Sequence, residues 1–347
     1  MQLAAPTSLA EVGEDGLIGQ ADIDASFNTL LGPVTATECA RLDDSTFTVR
    51  FGRAHGPDLD FAARQVASVT QSGWHWTSPV AESAAQQFDI PELWGSTTAN
   101  IDLLTRAART IHNDAPIIRI PLDRVICVLA LDTPVQPSPV ATALMRAPLM
   151  LSSRALEAFA ARRGIDALPA ELRDGALYRV GLPLDELRTR AAYLSIEHQM
   201  LYDARAVGHP TLTGDTINIL TRDGMVVTPA TVIATVTEDT WQWANNRATN
   251  RLRQFGHDQC VPALVAPQLP VRIAQSWNLI DCAKEILGVY THAFVPVSPT
   301  SYAVTLFQHP AFMLPPATTN TATAVLSRSL PKELDRAAAE AAYRARR

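Results

Sequence analysis

Lysine is almost absent from this chain. Only Lys284 and Lys332 occur among 29 basic residues, leaving 27 arginines. Such a bias fits a GC-rich genome of the actinobacterial kind and carries no necessary function. Acids outnumber bases 35 to 29, for a net charge of -6. A chain of that balance lacks the broad basic surface that phosphate backbones require, which argues against nucleic acid as the main partner. No stretch approaches 18 consecutive apolar residues, so no membrane-spanning helix is expected. The start, "MQLAAPTSLAEVGEDGL", has neither a basic n-region nor an apolar h-region, so a secretory signal is not expected. Four cysteines, Cys39, Cys127, Cys260 and Cys282, are scattered, with no C-x-x-C pair. They read as reduced core residues of a cytoplasmic protein.

Catalytic signatures are missing too. There is no G-x-S-x-G, no P-loop and no G-x-G-x-x-G. None of the eight histidines pairs as in H-E-x-x-H, and none neighbours a cysteine at zinc-ligand spacing. No metal and no cofactor is therefore expected.

What is present is a repeat. "QVASVTQSGWHW" (65–76) lies over "VIATVTEDTWQW" (232–243) without a gap, at an offset of 167 residues. Downstream, Ile90-Pro91-x-Leu93 lies over Val261-Pro262-x-Leu264. Then Leu103, Leu104, Ala107 and Ile111 lie over Leu279, Ile280, Ala283 and Leu287, spaced along one helical face. Both copies close on a β-rich stretch, "RVICVLALDTP" and "SYAVTLFQHP". Each copy reads as helix, three β segments, two helices, then β. Turns of hairpin length, such as "SG" and "RDG", favour antiparallel pairing. The helices cluster instead of alternating with strands, so the expected class is α+β: two homologous domains, each an antiparallel sheet packed against helices. The expected organisation is an N-terminal arm (1–20), a first repeat (20–134), a helical linker (135–184), a second repeat (185–315) and a tail with an Ala-rich helix from about Pro331 (316–347).

In the linker, "SSRALEAFAARRG" reads as a helix capped by Ser152 or Ser153 and stopped at Gly164. The following "IDALPAEL" makes a faint helix-turn-helix pattern, weakened by Pro169. "PLDELRTRAAYLSIEHQMLYDARAVG" reads as a long helix that opens the second repeat, with Gly208 as its stop. Its shorter counterpart is "IGQADIDASFNTLLGP".

Glu197, His198, Gln199, Trp241, Trp243 and Asn245 together resemble a domain family of unknown function common in actinobacteria, whose mark is W-x-W-x-N-P. Asn246 stands where that family has Pro. The first copy carries Trp74, Trp76 and Pro79, with Ser78 in the Asn position. The resemblance implies the fold and no activity.

The candidate ligand-contacting residues are Trp241, Trp243, Asn245, His198, Trp74 and Trp76. Tryptophans two apart on a strand face the same way, and large aromatics anchor cores more often than they form platforms. Asn245 is a candidate cap for the helix that follows it. His198 falls on the Leu194/Leu201 face of its helix, which favours a buried histidine over a base. The copies differ where chemistry would require agreement: His75 against Gln242, Ser78 against Asn245, Cys127 against Ala303. The first reading is therefore a cytoplasmic binding or interaction protein built by internal duplication, with an unidentified protein or small molecule as partner. The alternatives are a hydrolase-like enzyme with one site in the second repeat and, third, a DNA-associated regulator.

Overall fold

Sheet pairing in this chain is organised by one long strand in each half. The computed structural model describes residues 3–122 and 124–347. The first two residues of the expected arm, and position 123 of the first repeat, thus lie outside the described residues. The chain divides into two compact units, 1–169 and 170–347.

The first unit runs α1 (Leu9–Asp15), α2 (Leu17–Leu31), β1 (Val34–Arg41), β2 (Thr46–Arg53), β3 (Leu59–Thr70), β4 (Gly73–Trp76), α3 (Pro79–Phe88), β5 (Ser96–Thr97), α4 (Ile101–Ile111), β6 (Ile117–Leu122), β7 (Val125–Leu131), α5 (Val140–Arg146) and α6 (Ser153–Arg163). The second runs β8 (Glu171–Arg173), β9 (Ala176–Arg179), α7 (Leu184–Arg205), β10 (Thr211–Thr213), β11 (Thr216–Thr221), β12 (Gly224–Val236), β13 (Thr240–Trp243), α8 (Arg247–Asp258), α9 (Pro262–Val265), β14 (Gln268–Pro270), α10 (Val271–Ser276), α11 (Leu279–Leu287), β15 (Thr291–Ser298), β16 (Ser301–Phe307), α12 (Thr319–Leu326) and α13 (Arg336–Arg344). Strands β1 to β5 form a sheet in sequence order, with β7 on β3 and β6 on β7. Strands β10 to β14 repeat that order, with β16 on β12 and β15 on β16. Every pairing is antiparallel. The fold is α+β, with two similar units of antiparallel sheet and helices.

The likeness extends to register. β3 shifts register against β7 between Gln65 and Ala67, and β12 shifts against β16 between Val232 and Ala234. Both irregularities lie at the same place in the 167-residue offset, and the residues inside them, Val66 and Ile233, are buried. A bulge of this kind adds twist and bends a strand, which lets one strand serve two sets of neighbours. The hairpin after β3 turns at Gly73, whose φ is +120°; a Cβ there would lie 2.6 Å from the Thr97 carbonyl oxygen. The hairpin before β12 turns at Gly224, with φ of +127°.

Each seven-stranded sheet has three strands more than the four expected, and one of them in each unit carries an internal proline. β6 and β15 contain Pro121 and Pro296, and Pro lowers strand propensity and cannot donate to a ladder. Both tolerate it because each pairs on one side only, with β7 and β16. Other elements follow their caps. Ser152 accepts from the Ala155 N–H at the start of α6, and Gly164 ends it in the left-handed region. The chain after Gly164 goes into a turn and then β8 instead of a second helix, so no helix-turn-helix forms there; Pro169 sits in the intervening segment. In the tail, Thr318 caps α12, a helix additional to the expected one, and Asp335 caps α13 a few residues later than Pro331. Among the described residues, no helix is long and apolar enough to cross a membrane.

Both tryptophan pairs are built into the core. Trp74 is 1% exposed, Trp241 2% and Trp243 4%; Trp76 is partly buried. The rings meet edge to face, 5.1 Å apart in the first unit and 5.2 Å in the second, the geometry that aromatic quadrupoles favour. The second indole of each pair donates to the same backbone position: Trp76 Nε1 to the Glu92 carbonyl at 2.8 Å, Trp243 Nε1 to the Ala263 carbonyl at 3.0 Å. The first indoles, Trp74 and Trp241, bury Nε1 without a partner. We expect Trp243→Phe to cost about 1–2 kcal/mol more than Trp241→Phe, because only the former orphans a buried carbonyl. Equal costs in urea unfolding of the two variants would refute that assignment.

Candidate functional site

The sequence-derived candidates fall in separate places. Trp241 and Trp243 offer a ligand almost no surface, and the same holds for Trp74. Asn245 is exposed and the helix cap is the next residue. Asn246 Oδ1 accepts from the Ala248 and Thr249 N–H groups, Thr249 Oγ1 accepts in return from the Asn246 N–H, and Asn246 Nδ2 holds the Val232 carbonyl at 2.7 Å. The cap in the first unit is Ser78. The caps are therefore offset by one residue relative to the gapless tryptophan match, and the extra residue between Trp243 and the cap of α8 is Asn245, which is left outside.

His198 is the candidate that faces a cavity. It sits on the long helix α7, half-buried, and lines a cavity of about 410 Å³. The wall is mostly apolar, with Leu194 of α7 and Phe312, Met313 and Leu314 from the segment after β16; Thr291, Arg346 and Arg347 add polar atoms. Thr291 Oγ1 shares a hydrogen bond with His198 Nδ1 at 3.2 Å, and the Tyr290 ring stacks on the imidazole at 5.8 Å. Burial, together with the Lys284 ammonium and the Arg347 guanidinium, pulls the His198 pKa from 6.5 down to about 4. The ring is thus neutral at pH 7 and offers Nε2 to the cavity.

The two arginines are neutralised by partners. Arg346 Nη2 lies 2.7 Å from Glu285 Oε1, and its Nη1 donates to Glu285 Oε2 and the Tyr290 hydroxyl. Arg347 lies against Glu197, with Nε 2.9 Å from Oε2, and Tyr343 donates to the same carboxylate at 2.9 Å. These contacts fasten the end of the tail to α7 and α11. The Glu285 pKa is lowered, with its pairing to Arg346 and Tyr290 outweighing burial.

Beneath this surface lies a buried ionic cluster. Lys284 is 1% exposed, and its Nζ donates to Ser195 Oγ at 2.6 Å and lies 3.4 Å from Asp281 Oδ1. Ser195 donates in turn to Asp281 Oδ1 at 2.6 Å, and Asn278 Nδ2 donates to the other carboxylate oxygen, Oδ2, at 2.6 Å. Burial lowers the Lys284 pKa and Asp281 opposes the shift. Ser195 is 4% exposed, so this serine–lysine contact is sealed from substrate and serves as a polar tie between α7 and α11. The matching positions of α4 are Thr105 and Ala108, so the first unit packs there without charge. His292, next to Thr291, is held at about 3 by burial and by Lys284.

Several of these residues gave no signal in the sequence. Arg346 and Arg347 fall at the end of the Ala-rich tail helix and belong to no motif, and Phe312 and Met313 lie at the end of the second repeat, past its closing β-rich stretch. Lys284 stood out only through the scarcity of lysine.

Removing Asp281 leaves a buried ammonium without its counter-ion, so Asp281→Asn should cost about 3 kcal/mol or more. Lys284→Met should cost less, because Asp281 keeps Ser195 and Asn278; thermal unfolding with the order reversed would contradict this. The histidines give a pH signature. His198 and His292 have folded values below about 6.5, so from pH 6.5 downward the unfolded chain takes up protons that the folded chain refuses. Stability should therefore fall as pH drops from 6.5 toward 4. The His198→Gln/His292→Gln variant should show a shallower loss over that window in denaturant titrations.

Among the described residues, no group of three or more His, Cys, Asp or Glu side chains is placed to hold a metal ion. No curated protein and no solved structure matches the chain. Residues 185–310 match the model of DUF6882, described as a family of unknown function. The match runs from α7 through β16 and includes His198 and Thr291, while Phe312, Met313, Arg346 and Arg347 lie beyond it.

Proposed function

We propose that the protein is a small-molecule binding protein, and that its ligand occupies the cavity beside His198 in the second unit. The observation that carries this reading is a partly open cavity of about 410 Å³, within the range typical of ligand pockets, with the neutral imidazole of His198 in its wall. The arginines at its edge already have carboxylate partners, so the favoured ligand is uncharged. It is mainly apolar, with one hydrogen-bonding group for His198 Nε2 and an apolar body against Leu194, Phe312 and Met313.

In this reading the two units descend from one ancestral domain, as repeats 20–134 and 185–315, and the W-x-W mark is the scaffold they share. The shared register irregularity and the shared indole-to-carbonyl bond support that descent. The function then belongs to the second copy, whose α7 carries His198. Four free cysteines favour a reducing, cytoplasmic site of action.

A thermal-shift screen of the full chain with small uncharged amides, alcohols and phenols tests the reading. A ligand at about 100 times its Kd should add about 2.7 kcal/mol of stability. His198→Trp, which fills the space, should fold and lose that response. If no compound shifts wild type and His198→Trp is the more stable protein, the cavity is a packing void.

A further inference from the structure

Strand β12 has two successive neighbours along one edge. β11 pairs with it as far as Pro229, and β13 begins at Ala234. The Ala230 N–H is taken by the Asp215 carbonyl at 2.8 Å, and the Val232 carbonyl by Asn246 Nδ2. Alternate residues of a strand direct their backbone groups to the same edge, so Ala230 and Val232 border one opening. In the first unit β2 reaches Arg64, the Ser45 carbonyl takes the Gln65 N–H, and β4 begins at Ala67. Val66 alone is skipped there, against Thr231, Val232 and Ile233 in the second unit. The second unit has thus opened its sheet by two residues.

A cavity of about 730 Å³ occupies this notch, lined by Asp215, Ala230, Thr231, Val232, Arg247 and Arg251. Through Thr231, Ala248 and Arg251 it continues into a second space of about 520 Å³ floored by Leu306 and Phe307. Arg247 and Arg251 are one helical turn apart on α8 and share a face. Among the described residues neither makes a hydrogen bond or an ion pair, whereas their neighbour Arg253 is tied to Asn250 and to the Ala244 carbonyl. Asp215 is the one acid among the residues lining both spaces. Helix α3, the counterpart of α8, has no basic residue. Two unpaired guanidinium groups over an open sheet edge, in a chain of net charge -6, form a localised anion-binding surface.

We propose that this notch binds a small organic phosphate ester carrying hydroxyl groups. Guanidinium groups match phosphate oxygens in paired, charge-assisted hydrogen bonds, and Asp215 accepts from a ligand hydroxyl. The site is separate from the His198 cavity and does not depend on that reading.

Calorimetry of the full chain with ribose 5-phosphate and glycerol 3-phosphate tests it, beside ribose, inorganic phosphate and succinate. Wild type should bind the esters more tightly than inorganic phosphate, and ribose and succinate least. Arg247→Gln and Arg251→Gln lie on exposed positions, so their melting temperatures should match wild type. Each should weaken ester binding about tenfold or more, the loss expected for a charged hydrogen bond. Asp215→Asn should reduce ester binding and leave inorganic phosphate unchanged, and His198→Trp should bind the esters as wild type does. No ester binding at about 10 mM, a range weaker than Kd of 1 mM, would overturn the proposal. So would ester affinity unchanged in both arginine variants, or succinate binding as tightly as the esters.

Discussion

The bond from an indole N–H to a backbone carbonyl, Trp76 to Glu92 and Trp243 to Ala263, is the tie on which each unit depends. It joins the last residue of a short strand to the I-P-x-L or V-P-x-L corner that brings the chain back from α3 or α8. The corner then feeds the second helix over the sheet. Without that tie the short strands β4 and β13, four residues each, would have little besides their ladders to hold them. The partner tryptophan contributes by packing alone, its own N–H buried and unpaired. Such an orphan group costs free energy, offset by the area that the indole ring buries.

The bulged strands extend the same logic. A strand that bends after Val66 or Ile233 can pair with a hairpin neighbour on one stretch and with the closing strand on the next. That geometry is common to both units, but its consequences differ. In the first unit the ladder is nearly continuous. In the second it opens by two residues, the cap moves to Asn246, and arginines stand over the gap. The same divergence appears on α11, where Lys284 and Asp281 replace the small neutral residues of α4. A buried ion pair of this kind stabilises little in net terms. Burial is the main reason that His198 and His292 stay neutral, and the Lys284 charge adds to it, which links the helix core to the cavity above it.

Much of the fold was legible in the chain. The W-x-W match and the I/V-P-x-L corner lie at equivalent places because they make equivalent bonds. Ser152 and Gly164 marked helix ends through local backbone chemistry that needs no tertiary context, whereas α7 stops at Arg205, short of the expected Gly208. The site was much less legible. His198 was visible as a histidine on an apolar helix face, a pattern that fits a buried ring as well as a cavity wall. Arg347 is 150 residues from its partner Glu197 and Arg346 is 61 residues from Glu285, and nothing in the tail announces either partner. Asn245 and Asn246 are indistinguishable as caps until the backbone at position 246 is seen to be extended. Proline inside β6 and β15 concealed two strands, since edge position, not composition, decides whether a strand tolerates it.

Composition, periodicity and repeat spacing were enough to specify class, the likeness of the two units and several helix termini, because those follow from short-range backbone preferences and from which faces must be buried. The cavity at His198, the sealed Lys284 cluster and the open notch along β12 arise from contacts between residues far apart in the chain. Each depends on a separation of a few ångströms that close packing alone sets, and no local pattern of residues encodes it.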